Sequence, residues 1–237
     1  MKKYAEVFWA PWVDNVNAET VWSSTVYLPP VPLFGLAHGT IQNKSESLFK
    51  CPAVKGLIKN DFVIKSPFDL TLTFDQATAT VSTDNYGQDF YDGYVINRSI
   101  PNGPIVMTIP PRYVFFSKDD VEMMSMDLPI ISSNSSKNIK MIPGKFNISK
   151  WCRSIDFTFT VVDPSLPVTL KAEEPLWAVR FYTPNDVPVK ITQFELTPDI
   201  INKVESMTSL KKFRKFLPLE KCYEMATGVI QQLKKKF

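Results

Sequence analysis

The sequence predicts a mainly β protein, an antiparallel β-sandwich of jelly-roll type that ends in a pair of α-helices. Three observations indicate this class. Apolar and polar residues alternate with a period of two in many segments between about residues 20 and 196, which is typical of half-buried strands. Prolines outnumber glycines, 19 to 8, and separate these segments. After residue 197, the apolar residues recur at helical spacing instead.

The clearest strand candidates place their apolar side chains on one face. Residues 69–74 have apolar side chains at every second position, and residues 155–161 repeat the pattern with larger ones. Residues 77–81 are expected to pair with the first strand across a two-residue turn at Asp75-Gln76. About ten strands without long helices between them favour a sandwich. The remaining strand candidates are residues 20–28, 62–65, 93–96, 105–109, 113–117, 176–182 and 187–196.

Three helices are expected. Pro52 fits the first turn of a short helix near residues 52–59, because the missing N–H of proline has no partner there in any case. The apolar residues of the C-terminal segment form two amphipathic helices separated by Pro218. We therefore divide the chain into a β-sandwich domain, residues 1–197, and a C-terminal helical appendage, residues 198–237.

The titratable residues limit the chemistry that the chain can perform. His38 is the single histidine and lies in a predicted loop, so a multi-histidine metal site, including the iron site of jelly-roll oxygenases, is excluded. Cys51, Cys152 and Cys222 are far apart and form no C-x-x-C pair, which predicts free thiols. We find no nucleophile motif and no glycine-rich phosphate loop. The sequence predicts no catalytic residue, no metal and no cofactor.

The chain shows no sign of export or membrane insertion. Glu6, Pro11 and Asp14 interrupt any apolar run near the N-terminus, so we expect no signal peptide. No segment approaches the ~18 apolar residues that span a bilayer. The net charge of +3 is too small to indicate nucleic-acid binding. These features predict a protein that stays in the cytoplasm in which it is made.

The segment 84–94 and one strand arginine are candidate ligand contacts. The segment combines carboxylates, glycines and aromatic rings, which suits sugar hydroxyls but is also the composition of a polar turn. Arg180 alternates with apolar neighbours in a predicted strand and is either a ligand or partner contact or a surface arginine. The candidate ligand-binding residues of the segment are Asp84, Tyr86, Asp89, Tyr91 and Asp92.

The basic residues of the C-terminal segment are candidate partner contacts. Residues 198–237 carry a net charge of +5, whereas the preceding residues carry −2. The cluster lies at a predicted helix end, where lysines also complement the helix dipole. The cluster is therefore either a structural feature of the helix end or a contact for phosphate or an acidic protein. The candidate contacts are Lys211, Lys212, Arg214 and Lys215.

Two further patterns have alternative interpretations. Five aromatic residues lie within the first 22 positions and form either one wall of the core, which we favour, or an exposed binding surface. Threonines, among them Thr158 and Thr160, make polar strand faces that are either solvated or a flat docking surface. The aromatic residues are Tyr4, Phe8, Trp9, Trp12 and Trp22.

Three stretches of the chain carry a resemblance to a known family. They are Cys51-Pro52-Ala53 leading into VIKSPFDL at residues 63–70, Phe146-Asn147-Ile148, and EPLWAVRF at 174–181 with FELT at 194–197. Together they resemble an uncharacterised family encoded by tailed phages, over about residues 48–200. The motifs are structural rather than chemical. The resemblance implies a phage origin and transfers no site residues.

These observations favour a non-enzymatic binding or assembly protein of phage origin, with the virion as one place of action. The expected partners are other protein subunits, either copies of this chain or virion proteins, and neither nucleic acid nor a membrane span is expected. One alternative is an accessory protein in the host-cell cytoplasm that binds a host protein or a small ligand. A second alternative is a carbohydrate-binding or carbohydrate-active protein.

Overall fold

The structure, a computed structural model, describes residues 3–12, 27–41, 51–83, 95–213 and 217–237. Strands dominate these residues, and the two longest helices follow one another at the C-terminal end. The strands are β1 Ala5–Pro11, β2 Val31–Pro32, β3 Asp61–Lys65, β4 Leu70–Asp75, β5 Thr80–Thr83, β6 Ile96–Asn97, β7 Val106–Phe116, β8 Glu122–Met126, β9 Ile139–Met141, β10 Gly144–Asn147, β11 Ser154–Val161, β12 Val168–Leu170, β13 Pro175–Tyr182 and β14 Val189–Gln193. The helices are α1 Leu33–Ile41, α2 Pro52–Ile58, α3 Pro198–Phe213 and α4 Leu219–Lys234, with short 3-10 helices at Ser135–Lys137 and Pro184–Asp186.

The described strands form three sheets. The largest has the order β14-β1-β7-β11-β9, with β6 also paired to β7. A five-stranded sheet has the order β10-β8-β13-β3-β2, and a three-stranded sheet has the order β12-β4-β5. Described neighbours pair antiparallel, except that β1 and β14 run parallel, with Ala5 opposite Val189. One edge of the largest sheet is therefore formed by strands from the N-terminal and C-terminal halves of the chain.

The two larger sheets face each other across an aromatic core. Phe157 of β11 stacks on Trp177 of β13, with ring centroids 6.4 Å apart. Phe115 of β7 meets Phe181 of β13 edge to face at 5.6 Å. All four side chains are buried. These contacts join one sheet to the other, and the predicted class, a mainly β antiparallel sandwich with a C-terminal helix pair, is confirmed.

The alternating patterns identify core faces correctly. In β11 the side chains of Ile155, Phe157, Phe159 and Val161 are buried, whereas the residues between them are only partly buried. In β4, the first apolar positions are buried in the same way. The short helix expected near residues 52–59 is α2. Where periodicity is strong and local, the residue pattern alone is sufficient to orient the element.

The two-residue turn expected at Asp75-Gln76 is wrong. Residues 76–79 form the turn, and β5 begins only at Thr80. The Asp75 carboxylate accepts hydrogen bonds from the backbone N–H groups of Ala77 and Thr78, at 2.9 and 3.4 Å. Such an Asx arrangement stabilises a turn directly after the aspartate. The alternation of Ala and Thr in residues 77–79 is therefore turn sequence, and only Thr80 and the residues after it are strand.

The two strands expected at 105–109 and 113–117 are one continuous strand. β7 runs through Pro110-Pro111, a cis peptide, and is eleven residues long. Its pairing with β11 skips at this point, because Ile109 lies opposite Phe157 and Tyr113 lies opposite Ile155. Proline has no N–H to donate, so it is tolerated inside a sheet at such an irregularity. The prolines interrupt the hydrogen-bond ladder without ending the strand.

Several other elements differ from the sequence-based expectation. The sequence predicts none of the strands β1, β2, β8, β9, β10 and β12, and the segment 187–196 is a strand only over Val189–Gln193. His38 lies in α1 rather than in a loop. Of the expected strands at 20–28 and 93–96, residues 20–26 and 93–94 lie outside the described ranges, and Ile96 begins β6. Trp9 and Trp12 are buried, as the core interpretation requires, while Tyr4 is exposed and Trp22 is not described.

Both C-terminal helices pack into the same core as the sheets. Phe237, just beyond α4, contacts the rings of Phe8, Phe116 and Phe194 at 4.7 to 5.3 Å between centroids. The division of the chain at residue 197 stays a prediction, but the core does not divide there. The buried residues are Ile200, Val204 and Met207 of α3 and Cys222, Ala226, Ile230 and Leu233 of α4.

Polar contacts fasten the two helices. Asp199 at the start of α3 accepts hydrogen bonds from Lys203 and from Lys236, which lies beyond the end of α4. Lys203 and then Lys236 lower the pKa of the Asp199 carboxyl. The hydroxyl of Tyr223 in α4 accepts a hydrogen bond of 2.7 Å from the backbone N–H of Asn147. The helix pair is thus tied both to itself and to the sandwich.

We expect the helix pair and the sandwich to unfold together. Leu233→Ala removes a buried side chain from the shared core and should lower the free energy of unfolding by about 2–5 kcal/mol. Met225→Ala, on the exposed side of the same helix, should change it by about 0.5 kcal/mol or less. Denaturant unfolding followed by tryptophan fluorescence and by circular dichroism measures both. A helical transition that separates from the tryptophan transition would contradict the shared core.

Candidate ligand-binding groove

A groove of about 800 Å³ lies between α3 and strands β6, β7 and β11. It opens on the face of the larger sheet that turns away from the aromatic core. Most of its lining is polar, and we call it the arginine groove. It is lined by the arginines Arg98, Arg112 and Arg153, the carboxylates Asp156 and Glu205, the hydroxyl residues Thr108, Ser154, Thr158, Thr208 and Ser209, and by Trp12 and Ile96.

The floor of the groove follows from strand alternation. Ser154, Asp156 and Thr158 occupy every second position of β11, opposite to its buried apolar face. Thr108 of β7 lies beside Thr158 in the register, and their Oγ1 atoms are 3.0 Å apart. One of these two hydroxyls donates to the other, so the donor's partner keeps its own proton for a further bond. The threonine face that the sequence predicted is thus part of a concave surface.

Arg112 enters the groove where β7 is irregular. It follows the two prolines, and its Nε lies 3.0 Å from Oδ1 of Asp156 on the neighbouring strand. Its backbone carbonyl accepts a hydrogen bond of 2.9 Å from Trp12 N–H. Both charged side chains are largely buried, 12% and 27% exposed. This ion pair neutralises one positive and one negative charge of the groove.

Arg153 is held by aromatic rings rather than by a carboxylate. Its Cζ lies 5.3 Å from the Trp151 ring centroid and 5.8 Å from that of Phe146. Its Nε donates to the carbonyl of Ser154 at 2.9 Å. Among the described residues, this is the one hydrogen bond that its guanidinium makes, and it makes no ion pair. Burial lowers the pKa of Arg153, and the Asp156 carboxylate opposes that shift.

Helix α3 is tied to the segment that carries Arg153. The indole N–H of Trp151 donates to the carbonyl of Met207 at 3.0 Å. The N–H of Ser154 donates to Oγ1 of Thr208 at 3.4 Å, and this hydroxyl donates to the carbonyl of Val204 at 2.9 Å. These bonds fix the helix wall of the groove relative to its floor.

The charges of the groove sum to +1, since three arginines face two carboxylates. With Arg112 and Asp156 paired, Arg153 and Arg98 remain against Glu205. Arg98 and Glu205 are exposed at the rim, whereas Arg153 is partly buried. Because exposed charges are screened by solvent and salt, Arg153 is the strongest electrostatic feature of the interior.

Most of the candidate residues from the sequence lie where the structure gives no side-chain description. Lys211 and Lys212 lie in the last turn of α3, although their side chains are not described. Their proposed roles, and those of the residues outside the described ranges, stay predictions. The residues outside those ranges are Asp84, Tyr86, Asp89, Tyr91, Asp92, Arg214 and Lys215.

Arg180 is described, and it is engaged within the protein. Its Nε and Nη2 donate to the two carboxylate oxygens of Asp61, at 2.6 and 2.7 Å. Asp61 lies opposite Arg180 on β3 and its side chain is fully buried, while that of Arg180 is 19% exposed. The hydrogen bonds to Asp61 raise the pKa of Arg180. The guanidinium is not a surface arginine, and its role as a ligand contact stays a prediction.

Sequence reasoning missed the three arginines of the groove. They come from separate segments, and their proximity depends on long-range strand pairing. A local signal did exist for part of the site, because Trp151 and Arg153 lie directly before β11, the strand with the strongest alternation. The polar positions of that strand then indicate one continuous face. Nothing in the sequence shows that α3 borders it.

A second cavity of about 530 Å³ lies beside the loop 130–134. Lys137 and Glu174 contribute its charges, and Leu36 of α1 and Pro175 contribute apolar walls. Oε1 of Glu174 accepts a hydrogen bond of 3.0 Å from Asn134. Its Oε2 is buried and has no hydrogen-bond partner among the described residues. Such an atom offers a ligand no accessible contact, so the arginine groove is the better candidate site.

Other reactive groups do not form a second centre within the described ranges. No cluster of three or more histidine, cysteine, aspartate or glutamate side chains occurs there that could hold a metal ion. The three cysteines are free thiols, with Cys152 and Cys222 buried and Cys51 exposed. None of the described helices is long and apolar enough to cross a membrane.

Comparisons of the chain with protein-family models, with curated proteins and with solved structures found no match. The function of the groove is therefore inferred from its own geometry and chemistry.

We expect the Arg180–Asp61 pair to be essential for stability. Arg180→Met leaves a buried carboxylate without its counter-charge and should cost about 3–5 kcal/mol of unfolding free energy. The double variant Asp61→Val/Arg180→Met removes both charges and should recover most of that loss. Chemical denaturation of the single and double variants measures this coupling.

Lys145→Met is the control for this cycle. Lys145 pairs with Glu122 at 2.8 Å in the same sheet, but both side chains are about half exposed. Its loss should cost no more than about 1 kcal/mol. A double variant as unstable as Arg180→Met, or an Arg180→Met variant as stable as the control, would contradict the role assigned to the pair.

Proposed function

We propose that the protein is a non-enzymatic binding protein whose ligand occupies the arginine groove. The observation that carries this proposal is the state of Arg153, a partly buried guanidinium with unused N–H donors that lines a concave polar surface. Within the described part of the chain, no nitrogen of Arg153 is both buried and without a partner, so its unused donors face the open space of the groove. A guanidinium held in place by rings and one backbone carbonyl is prepared to receive an acceptor from outside the chain.

The chemistry of the groove supports binding rather than proton transfer. Arginine is protonated throughout the ordinary pH range and donates hydrogen bonds without exchanging charge. Asp156, which lies deepest among the carboxylates, is held by Arg112. The hydroxyl side chains stand on paired strands and on a helix tied to them, so their positions are rigid. Rigid elements hold a binding site more accurately than loops do.

The volume of the groove supports a small ligand. Pockets for small molecules and cofactors are commonly about 300–1,000 Å³, and this groove is within that range. Among the alternatives that the sequence left open, the volume favours a protein that binds a small ligand, and its action in the host-cell cytoplasm stays a proposal. A carbohydrate ligand is compatible with the hydroxyl lining. The residues first considered for sugar binding, however, lie outside the described ranges.

We also propose the assembly role and the phage origin, on the strength of the family resemblance. In this form of the proposal, the binding protein joins other subunits and acts in the virion. The two roles differ in what must be measured: ligand occupancy for the groove, and the presence of the chain in particles for the virion.

The first test fills the groove. Ser209→Trp places an indole on the α3 wall, and Ser206→Trp places the same side chain on an exposed position of the same helix outside the groove. Saturation-transfer NMR with a library of small polar molecules should detect ligands of the wild-type protein. We expect Ser209→Trp to weaken their binding at least about tenfold by occupying their volume, while Ser206→Trp retains it.

Both variants should have thermal unfolding curves close to that of the wild type, which is the control for folding. If no ligand distinguishes Ser209→Trp from Ser206→Trp, the groove is not the binding site and the proposal is wrong.

The second test concerns the virion. Quantitative mass spectrometry of purified phage particles should find this chain enriched over the infected-cell lysate, with a copy number that reflects the symmetry of its location. Abundance in the lysate together with absence from particles would contradict the virion role and leave the accessory role.

A further inference from the structure

The orientation of Arg153 indicates what kind of group the groove receives. Its guanidinium is held by the rings of Trp151 and Phe146 and by the Ser154 carbonyl. Arg153 has therefore already lost side-chain entropy on folding. It loses less on binding than a mobile surface arginine would. The planar fork of N–H donors matches two oxygens of a carboxylate or a phosphate in a bidentate arrangement.

Carboxylates on the protein do not occupy this position. Asp156 is engaged by Arg112 at 3.0 Å, and Glu205 is exposed at the rim on α3. Both would repel an anion, and Asp156 is close enough to affect the pKa of Arg153. The ion pair with Arg112 reduces the repulsion from Asp156, and solvent screens Glu205. Arg98 at the rim adds attraction, so the balance at Arg153 favours a negative group.

The rest of the groove suits a hydroxylated molecule. Thr158, the partly buried member of the pair with Thr108, presents its hydroxyl to the groove, and Ser209 adds another hydroxyl. Trp12 is only 3% exposed, so its ring offers little surface for stacking. Hydrogen bonds rather than aromatic stacking must hold the body of the ligand.

We propose that the arginine groove binds a small hydroxylated molecule through an oxyanion, either a phosphate monoester or a carboxylate, and that Arg153 binds the oxyanion. This inference rests on the proposed function, because it names the class of ligand for the same groove.

The test compares three sugars that share a ring and differ in charge: glucose 6-phosphate, glucuronate and glucose. In calorimetric titrations of the full chain at low ionic strength, the wild-type protein should bind one or both anions at least about tenfold more tightly than glucose. The preferred anion identifies the oxyanion. Arg153→Gln should weaken the binding of that anion by about 10- to 100-fold, since a hydrogen bond to a charged group is lost.

Lys171→Gln is the matched control. It removes the same charge from an exposed position after β12, outside the groove lining, and should leave the affinity for the anion unchanged. Loss of affinity in this variant would show that net charge, rather than the groove, attracts the anion, and would overturn the proposal.

A direct measurement covers the case in which Arg153→Gln unfolds. The side-chain Nε–H resonance of Arg153 in the wild-type protein, assigned by its absence in Arg153→Lys, should shift on titration with the preferred anion and stay in place with glucose. Unchanged resonance positions, or equal affinities for the anions and glucose, would overturn the proposal.

The outcomes also separate this inference from the proposed function. If glucose binds as tightly as the anions and Ser209→Trp abolishes its binding, the groove is a ligand site and only the oxyanion is wrong. If the anions bind equally well to wild type, Arg153→Gln and Ser209→Trp, both the inference and the proposed function are wrong.

Discussion

The longest of the described strands contains two adjacent prolines, whose backbone nitrogens cannot donate a hydrogen bond, and much of the site depends on how the sheet accommodates them. β7 pairs with β6 and β11 before Pro110-Pro111 and with β1 and β11 after it. Between these paired halves, Asp156 of β11 faces the irregular stretch of β7. The side chain of Arg112 projects from β7 at this point and pairs with Asp156. The register shift between β7 and β11 therefore places a charged pair, Arg112 and Asp156, on the groove face of the sheet.

The site also depends on a partly buried arginine, Arg153, that makes no ion pair among the described residues. The rings of Trp151 and Phe146 stabilise it, because aromatic ring faces attract a guanidinium. The same Trp151 donates its indole N–H to the last turns of α3. One residue therefore holds the arginine and anchors the helix that borders the groove. The helix in turn contributes its apolar side to the main core, so fold stability and site geometry depend on the same packing.

The sequence was informative where structure is local. Alternation in β4 and β11, and helical spacing in α3 and α4, follow from the side-chain periods of strands and helices, and the core faces were correctly identified from them. Elements whose stability comes from distant partners were missed. β1 is a strand because it pairs with β7 on one side and with the parallel β14 on the other. Its pairing with β14 joins the N-terminal and C-terminal parts of the chain. The groove was missed for the same reason, because only the pairing of distant strands brings Arg98, Arg112 and Arg153 to one groove.

Arg153 is held in an orientation that suits an oxyanion from outside the chain. The most direct measurement is a crystal structure of the protein with the preferred sugar anion bound. We expect the anionic group within hydrogen-bond distance of the Arg153 guanidinium, with Trp151 and Phe146 still against the guanidinium and the sugar hydroxyls toward Thr158 and Ser209. An anion bound elsewhere, with Arg153 contacting only the rings and the Ser154 carbonyl, would contradict it.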